Sequence, residues 1–197
     1  MVGQQIEEAK GMKRWRHLIL CLGLVVVLLP LTVLADSTAD ENPGGFAPVE
    51  GLAIDRLATR NGPGTEYRET GTYRVEGETV RLISLAYDKN GICWVQCEIA
   101  YGNKLRRVYT GLHRFDAATF DLGNLPDEDS LDAQAKVTAT SKAMYGPGDG
   151  YGTYGVLTVD RGQTVTVIAI ENEYAQVEWT TSMQSYRAWV PVDTLQY

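Results

Sequence analysis

Leu57-Ala58-Thr59-Arg60-Asn61-Gly62-Pro63-Gly64-Thr65-Glu66-Tyr67 decides the fold, because its centre occurs again further along the chain. Gly62-Pro63-Gly64 followed by Tyr67 recurs as Gly146-Pro147-Gly148 followed by Tyr151, an offset of 146 − 62 = 84 residues. Downstream, Gln96-Cys97-Glu98 answers to Gln176-Val177-Glu178, and Arg107-Val108-Tyr109 to Arg187-Ala188-Trp189; both offsets are 80 (176 − 96; 187 − 107). A repeat that keeps its order and nearly keeps its spacing marks two copies of one small domain. Two copies leave little chain for a separate catalytic domain. In each copy Pro presets φ at the first corner of a type II turn and the Gly after it takes the positive φ of the second. That role is architectural and needs no ligand.

Around the two motifs the pattern is that of strands. Thr79-Val80-Arg81-Leu82-Ile83-Ser84-Leu85 alternates for part of its length, and Thr164-Val165-Thr166-Val167-Ile168-Ala169-Ile170 does the same with β-branched residues. Asp88-Lys89-Asn90-Gly91, Tyr101-Gly102-Asn103-Lys104 and Glu171-Asn172-Glu173 are hairpin turns, and residues 180–185 make a longer polar one. No helical stripe runs through this region. Each unit has about sixty residues, close to the smallest size that supports its own core.

The chain divides accordingly. Residues 1–35 form a secretory leader: Lys13, Arg14 and Arg16 precede the apolar run Leu18 to Leu34, which ends at Val33-Leu34-Ala35 with small residues at −3 and −1. Cleavage there leaves Asp36 at the N-terminus. Retention of residues 13–35 would instead make an anchor, although the run is short for a span and Pro30 interrupts it. Residues 36–50 are a flexible lead-in, 51–116 the first domain, 117–134 an acidic linker with a helical turn starting at Pro126, and 135–197 the second domain.

The 197-residue chain carries 18 basic and 25 acidic residues, a net charge of −7. Without residues 1–35, which hold four basic and two acidic residues, the balance is 14 − 23 = −9. Such a balance disfavours nucleic acid, whose phosphates demand Lys and Arg. Cys93 and Cys97 lie four residues apart on one strand, about 13 Å at a rise of about 3.3 Å per residue, too far for a disulfide. They alternate with Val95 and Ile99 onto one face, and Val177 stands in the second copy where Cys97 stands in the first, so a buried apolar role is expected. With His113 the only histidine after the leader, neither a zinc site nor another cofactor is expected.

In both copies these residues resemble the bacterial SH3 domain family. The entry motif 57–67 is followed, as in that family, by Gly77 before a Val-x-Leu strand, by Trp94-Val95-Gln96-Cys97, and by a closing strand with Tyr109. The second copy keeps the order with Gly146-Pro147-Gly148, Tyr151, Gly162, Val165-Thr166-Val167, Tyr174 to Val177 and Arg187 to Pro191. It departs at Met144, which stands where the first copy has Arg60, and at Tyr174, which stands for Trp94. The resemblance implies an all-β protein of two small SH3-like β-barrels in tandem behind a hydrophobic signal helix.

The eleven tyrosines, against three phenylalanines, suit shallow grooves, since a Tyr ring packs on one side and offers a hydroxyl on the other. The inward set on strand 92–100 puts Trp94, Gln96 and Glu98 on the opposite face, where an outward aromatic beside an irregular loop can grip an extended peptide. The candidate ligand residues are Arg60, Tyr67, Tyr73, Tyr87 and Trp94 in the first copy. Tyr151, Tyr154, Tyr174 and Trp189 are those of the second. Arg106, like Arg60, is a candidate for a carboxylate contact. Any one of these aromatics can equally complete a small core.

The expectation is an exported, non-catalytic protein, secreted or held at the cell envelope, that recognises peptidoglycan peptides. The alternatives are a protein-interaction module or anchored sensor ectodomain that grips an extended segment of a partner protein, touching membrane only through residues 13–35. A small cysteine peptidase of the wall is the third reading, with His113 its only available base.

Overall fold

β-Branched runs punctuated by Gly and Asn turns form strands and no α-helix among residues 49–197, the residues the computed structural model describes. They lie within one compact unit, Asn42–Tyr197. The leader, its cleavage site and residues 36–48 of the lead-in lie outside the described residues.

The first half contains β1 (Val49–Leu52), β2 (Leu57–Arg60), β3 (Glu69–Tyr73), β4 (Thr79–Tyr87), β5 (Cys93–Tyr101) and β6 (Lys104–Gly111). The second contains β7 (Ala133–Val137), β8 (Ser141–Met144), β9 (Thr153–Val159), β10 (Thr164–Glu171), β11 (Tyr174–Thr180), β12 (Ser185–Pro191) and β13 (Leu195–Gln196). Short 3-10 turns occupy Leu112–Arg114, Leu122–Asn124 and Val192–Thr194.

All strand pairings within the two sheets are antiparallel. The first sheet runs β1-β4-β5-β6-β2-β3 and the second β13-β7-β10-β11-β12-β8-β9. Apart from β13, the second order is the first repeated. Even the irregularity is repeated. The β4–β5 register slips between Leu82 and Ser84, and the β10–β11 register between Val167 and Ala169. An extra residue in one strand bends it and sharpens its twist, so Ile83 and Ile168 bend the same strand in each half.

Turn chemistry fixes these registers. The Asp88 carboxylate accepts from the Asn90 and Ile92 backbone N–H groups at 2.8 and 2.9 Å, closing the β4–β5 hairpin. Its counterpart is tighter: Glu171 pairs with Tyr174, and Asn172 and Glu173 both take positive φ (49° and 65°), as a two-residue type I′ turn demands.

Each half has its own apolar centre. Leu57, Val80, Leu82, Val95, Cys97, Ile99, Val108 and Phe115 form the first, and Val137, Val159, Val165, Val167, Val177, Ala188 and Val190 belong to the second. Each buried Leu or Val stabilises the fold by about 1.5–3 kcal/mol. Cys97 and Val177 are both fully buried, the shared role their alignment predicted. Cys93 and Cys97 are free thiols.

Three expectations need correction. Residues 49 and 50, assigned to the lead-in, begin β1, because Val49 and Glu50 pair with Leu82 and Arg81. The linker is built into the fold: Leu125 is buried in the first core, and Pro126 and Glu128 exchange backbone bonds with Leu85. Its helical turn lies at Leu122–Asn124, where Asp121 caps Gly123, and not at Pro126. Finally, Gln96 and the Glu98 side chain, expected on an open face, are buried, because the second half covers that face.

Candidate functional site

The two Gly-Pro-Gly motifs converge on a seam between the halves. A Cβ placed on Gly62 would lie 2.2 Å from Cδ1 of Tyr67, and one on Gly146 would lie 2.1 Å from Cδ1 of Tyr151. Only a residue without Cβ lets the ring fold back onto the motif. Each ring then points out of its own half and into the other. The Tyr67 hydroxyl donates to Glu178 Oε2 at 2.6 Å, and the Tyr151 hydroxyl donates to Glu98 Oε2. Backbone bonds follow the same exchange. The Ser185 N–H donates to the Glu66 carbonyl and Arg68 to that of Ser185; Leu105 donates to Gly150 and Gly152 to Leu105. Ser185 and Leu105 are themselves repeat partners, so the seam has approximate two-fold symmetry.

Paired charges line it. Arg187 donates from Nε to Glu178 at 2.6 Å and from Nη1 to Glu128 at 2.5 Å. Arg107 donates from Nε to Glu98 at 3.2 Å and takes Glu171 with both terminal nitrogens, at 2.6 and 2.9 Å. Burial disfavours both guanidinium charges. At Arg107 the Glu171 hydrogen bonds and the surrounding acidic groups outweigh burial, and at Arg187 the electrostatic interactions with the Tyr109 and Tyr67 oxygens and with the Glu128 and Glu178 carboxylates do so, raising both pKa values. These arginines carry a charge at every pH at which the protein is folded. Each also lies over the tyrosine inserted from the opposite half: Arg187 is 5.4 Å from the Tyr67 ring and Arg107 5.3 Å from that of Tyr151.

Tyr109 occupies the middle. Its hydroxyl accepts from Gln96 Nε2 at 2.8 Å, from Gln176 Nε2 at 3.1 Å and from Arg187 Nη1 at 3.2 Å, and donates to Glu128 Oε1. Gln96 and Gln176 are repeat partners, so one hydroxyl satisfies the same residue from both halves. The repeat partner of Tyr109 is Trp189, which is buried and carries no such hydroxyl. Burial raises the pKa of Tyr109 far above the ordinary phenol value, and the Glu128 carboxylate adds to the rise. Tyr67 and Tyr151 shift upward for the same first reason, opposed by Arg187 and Arg107 respectively.

No family model and no curated protein matches the chain.

The nine residues singled out from the sequence fall into four places. Tyr67, Tyr151 and Trp189 lie at the seam, where Arg107 sits 5.6 Å from the Trp189 ring. Tyr73 and Tyr154 line its edge, Tyr73 beside Tyr101 in a T-shaped pair and Tyr154 stacked on Tyr145 at 3.7 Å. Arg60 stays within its own loop, donating to the Thr65 and Tyr67 carbonyls at 3.1 and 2.6 Å. Tyr87 and Trp94 share the β4–β5 hairpin, and Tyr174 closes the corresponding β10–β11 hairpin of the second half. Tyr87 is 56% exposed and its neighbour Ile92 58%, while Trp94 is half-buried.

Sequence reasoning assigned no role to Gln96, Glu98, Arg107, Glu128, Gln176, Glu178 and Arg187. Most of them stood in plain view as repeated triplets. Charged and amide residues that recur at fixed positions in both copies were the available signal. Glu128 had none, since the linker that carries it has no repeat partner.

Thiol chemistry finds no support here. Cys97 is enclosed, and burial pushes its thiol up to about 12; burial also raises the Cys93 thiol. A nucleophilic cysteine needs the opposite shift.

Proposed function

We propose that this chain is an exported, non-catalytic binding protein made of two SH3-type barrels that work as one unit and recognise an extended peptide of the bacterial cell wall. The repeated strand order and the repeated strand irregularity support the barrel reading, and the resemblance to bacterial SH3 domains supports the wall ligand. The observation that carries the binding role is the β4–β5 hairpin, whose end leaves Tyr87 and Ile92 in solvent and Trp94 half-buried. Exposed apolar and aromatic side chains at a hairpin end give an extended chain a surface to pack on. The motif tyrosines Tyr67 and Tyr151 are committed to the seam. The ligand face therefore falls to the hairpin ends, with Tyr174 the lesser counterpart in the second half.

Co-sedimentation of the purified protein with washed peptidoglycan sacculi tests this reading. Saturable binding weakened about tenfold or more by Trp94→Ala, the size of a hot-spot loss, supports it. Absence of binding by folded protein would transfer the hairpin to a protein partner.

A further inference from the structure

Beside the seam, Arg106 is held in place without an acid to neutralise it. Its guanidinium lies 3.6 Å from the centre of the Tyr101 ring and 4.4 Å from that of Tyr145. Nη1 donates to the Tyr73 hydroxyl at 2.7 Å. Tyr73 packs edge-on to Tyr101, and Tyr145 is stacked on Tyr154, so each ring touching the arginine is itself braced. Tyr73 and Tyr101 end β3 and β5 of the first half, whereas Tyr145 follows β8 and Tyr154 lies on β9 of the second, so the docking of the halves assembles the group.

The contrast with its neighbours is chemical. Arg81, Arg107, Arg114 and Arg187 each meet a carboxylate, whereas Arg106 meets none among the described residues. Lys104 and Arg68 do not either. The Lys104 ammonium donates to the Asp149 carbonyl at 2.5 Å, and Arg68 joins Arg106 in opposing the upward shift that burial imposes on the Tyr145 hydroxyl. In an acidic chain this is a local concentration of positive charge. The repeat does not demand it: the residue corresponding to Arg106 is Tyr186, which stacks on Trp179. Of five N–H donors on a guanidinium, one is committed to Tyr73. At Gly152 a Cβ would lie 4.0 Å from Arg106 Nε, and glycine leaves that space beside the fork open.

We propose that Arg106, clamped between Tyr101 and Tyr145, is a receptor for a ligand carboxylate. A planar guanidinium fixed in advance takes a carboxylate through two parallel hydrogen bonds, and loses little freedom in doing so. The site binds an acidic ligand within an acidic protein, which makes it selective for geometry over bulk charge. It stands independently of the wall reading, since loss of sacculus binding leaves the chemistry of this cluster intact.

The test is a calorimetric titration of the full chain with N-acetylglycylglycine, with its C-terminal amide, and with an acetylated, C-amidated peptide carrying one glutamate. The Arg106 Nε–H resonance is followed by NMR in parallel. Saturable binding of a carboxylate form, with a shift of that resonance and none from the amide, is the expected result. Binding of the first ligand alone assigns a terminal carboxylate, and of the third a side-chain one. Arg106→Lys keeps the charge and loses the fork, and should weaken binding about tenfold, as should Gly152→Val, which crowds Nε while leaving the arginine in place. Arg81→Lys should change nothing. Equal response to acid and amide, no saturable binding, or unaltered affinity in Gly152→Val would overturn the proposal. Displacement of Arg106 by a trimethyllysine peptide, with no response to carboxylates, would make the tyrosines a cation cage and overturn it as well.

Discussion

Tyr67 and Tyr151 make the same hydrogen bond in opposite directions. Tyr67, from the first half, reaches Glu178 of the second; Tyr151, from the second, reaches Glu98 of the first. In each case the accepting Oε2 also receives Nε of an arginine on the neighbouring strand, Arg187 or Arg107. The repeat therefore encodes two barrel-sized sheets together with the means of holding them to one another.

Tyr67→Phe removes a donor from Glu178 but leaves Arg187 in contact with it. A loss of about 1.5–3 kcal/mol is expected, as for a hydrogen bond to a charged group. Tyr151→Phe should cost a similar amount through Glu98. Thermal unfolding checks both, with a fall in Tm of roughly 2–4 °C per kcal/mol for a chain of this size. A change at one tyrosine and none at the other would show that the symmetry is geometric and not energetic.

Gly62→Ala and Gly146→Ala should each be worse than the corresponding Tyr→Phe. The new methyl group would stand 2.2 or 2.1 Å from the ring and must expel it from the seam. Overpacking alone costs about 1–3 kcal/mol, and the displaced tyrosine adds its lost hydrogen bond. Denaturant unfolding measures the total. Combining Gly62→Ala with Tyr67→Ala should recover part of the loss, because the clash then has no ring to meet.

Much of this was legible in the sequence, and the limits are specific. The Gly-Pro-Gly-x-x-Tyr repeat gave the duplication, and Asp88 to Gly91, Tyr101 to Lys104 and Glu171 to Glu173 gave the hairpins. The alternation of Cys93, Val95, Cys97 and Ile99 located one core face. The opposite face was misjudged because alternation distinguishes two faces of a strand without saying what covers the second one. Gln96 and Glu98 look like solvent-facing residues to any local rule, yet a sheet eighty residues away covers them. The role of Gly62 was hidden for a similar reason. Its turn geometry is local, whereas its missing side chain matters only where the Tyr67 ring lands. Glu128 reaches Tyr109 and Arg187 from a segment whose composition suggests a loose linker.

Arg187→Met should be more damaging than Arg81→Met. Arg187 is nearly enclosed with Glu128 and Glu178, and its loss leaves two carboxylates without their cation, a change worth about 3–5 kcal/mol. Arg81 has a half-exposed side chain and meets Glu98 at 3.4 Å, so its loss should cost about 0–1 kcal/mol. Chemical denaturation of the two variants side by side provides the comparison.

Alkaline pH should open the seam. Tyr67, Tyr109 and Tyr151 all have folded-state pKa values raised above the ordinary 10.0, chiefly by burial. A phenol that ionises more easily in the unfolded chain contributes stability that is complete below pH 10 and is lost as pH rises beyond it. Phenolate absorbance should therefore show a cooperative step above pH 10, coincident with loss of the β-sheet circular dichroism signal. Gradual ionisation of all eleven tyrosines with the sheet signal intact would contradict this.

Differential scanning calorimetry of the purified protein tests the central claim, that the halves fold as one unit through the Tyr67–Glu178 and Tyr151–Glu98 exchange. The account predicts one unfolding transition whose calorimetric and van't Hoff enthalpies agree, shifted downward as a whole in the Tyr67→Phe, Tyr151→Phe double variant. Two separable transitions in the unaltered protein, each keeping its midpoint when the seam tyrosines are changed, would contradict it.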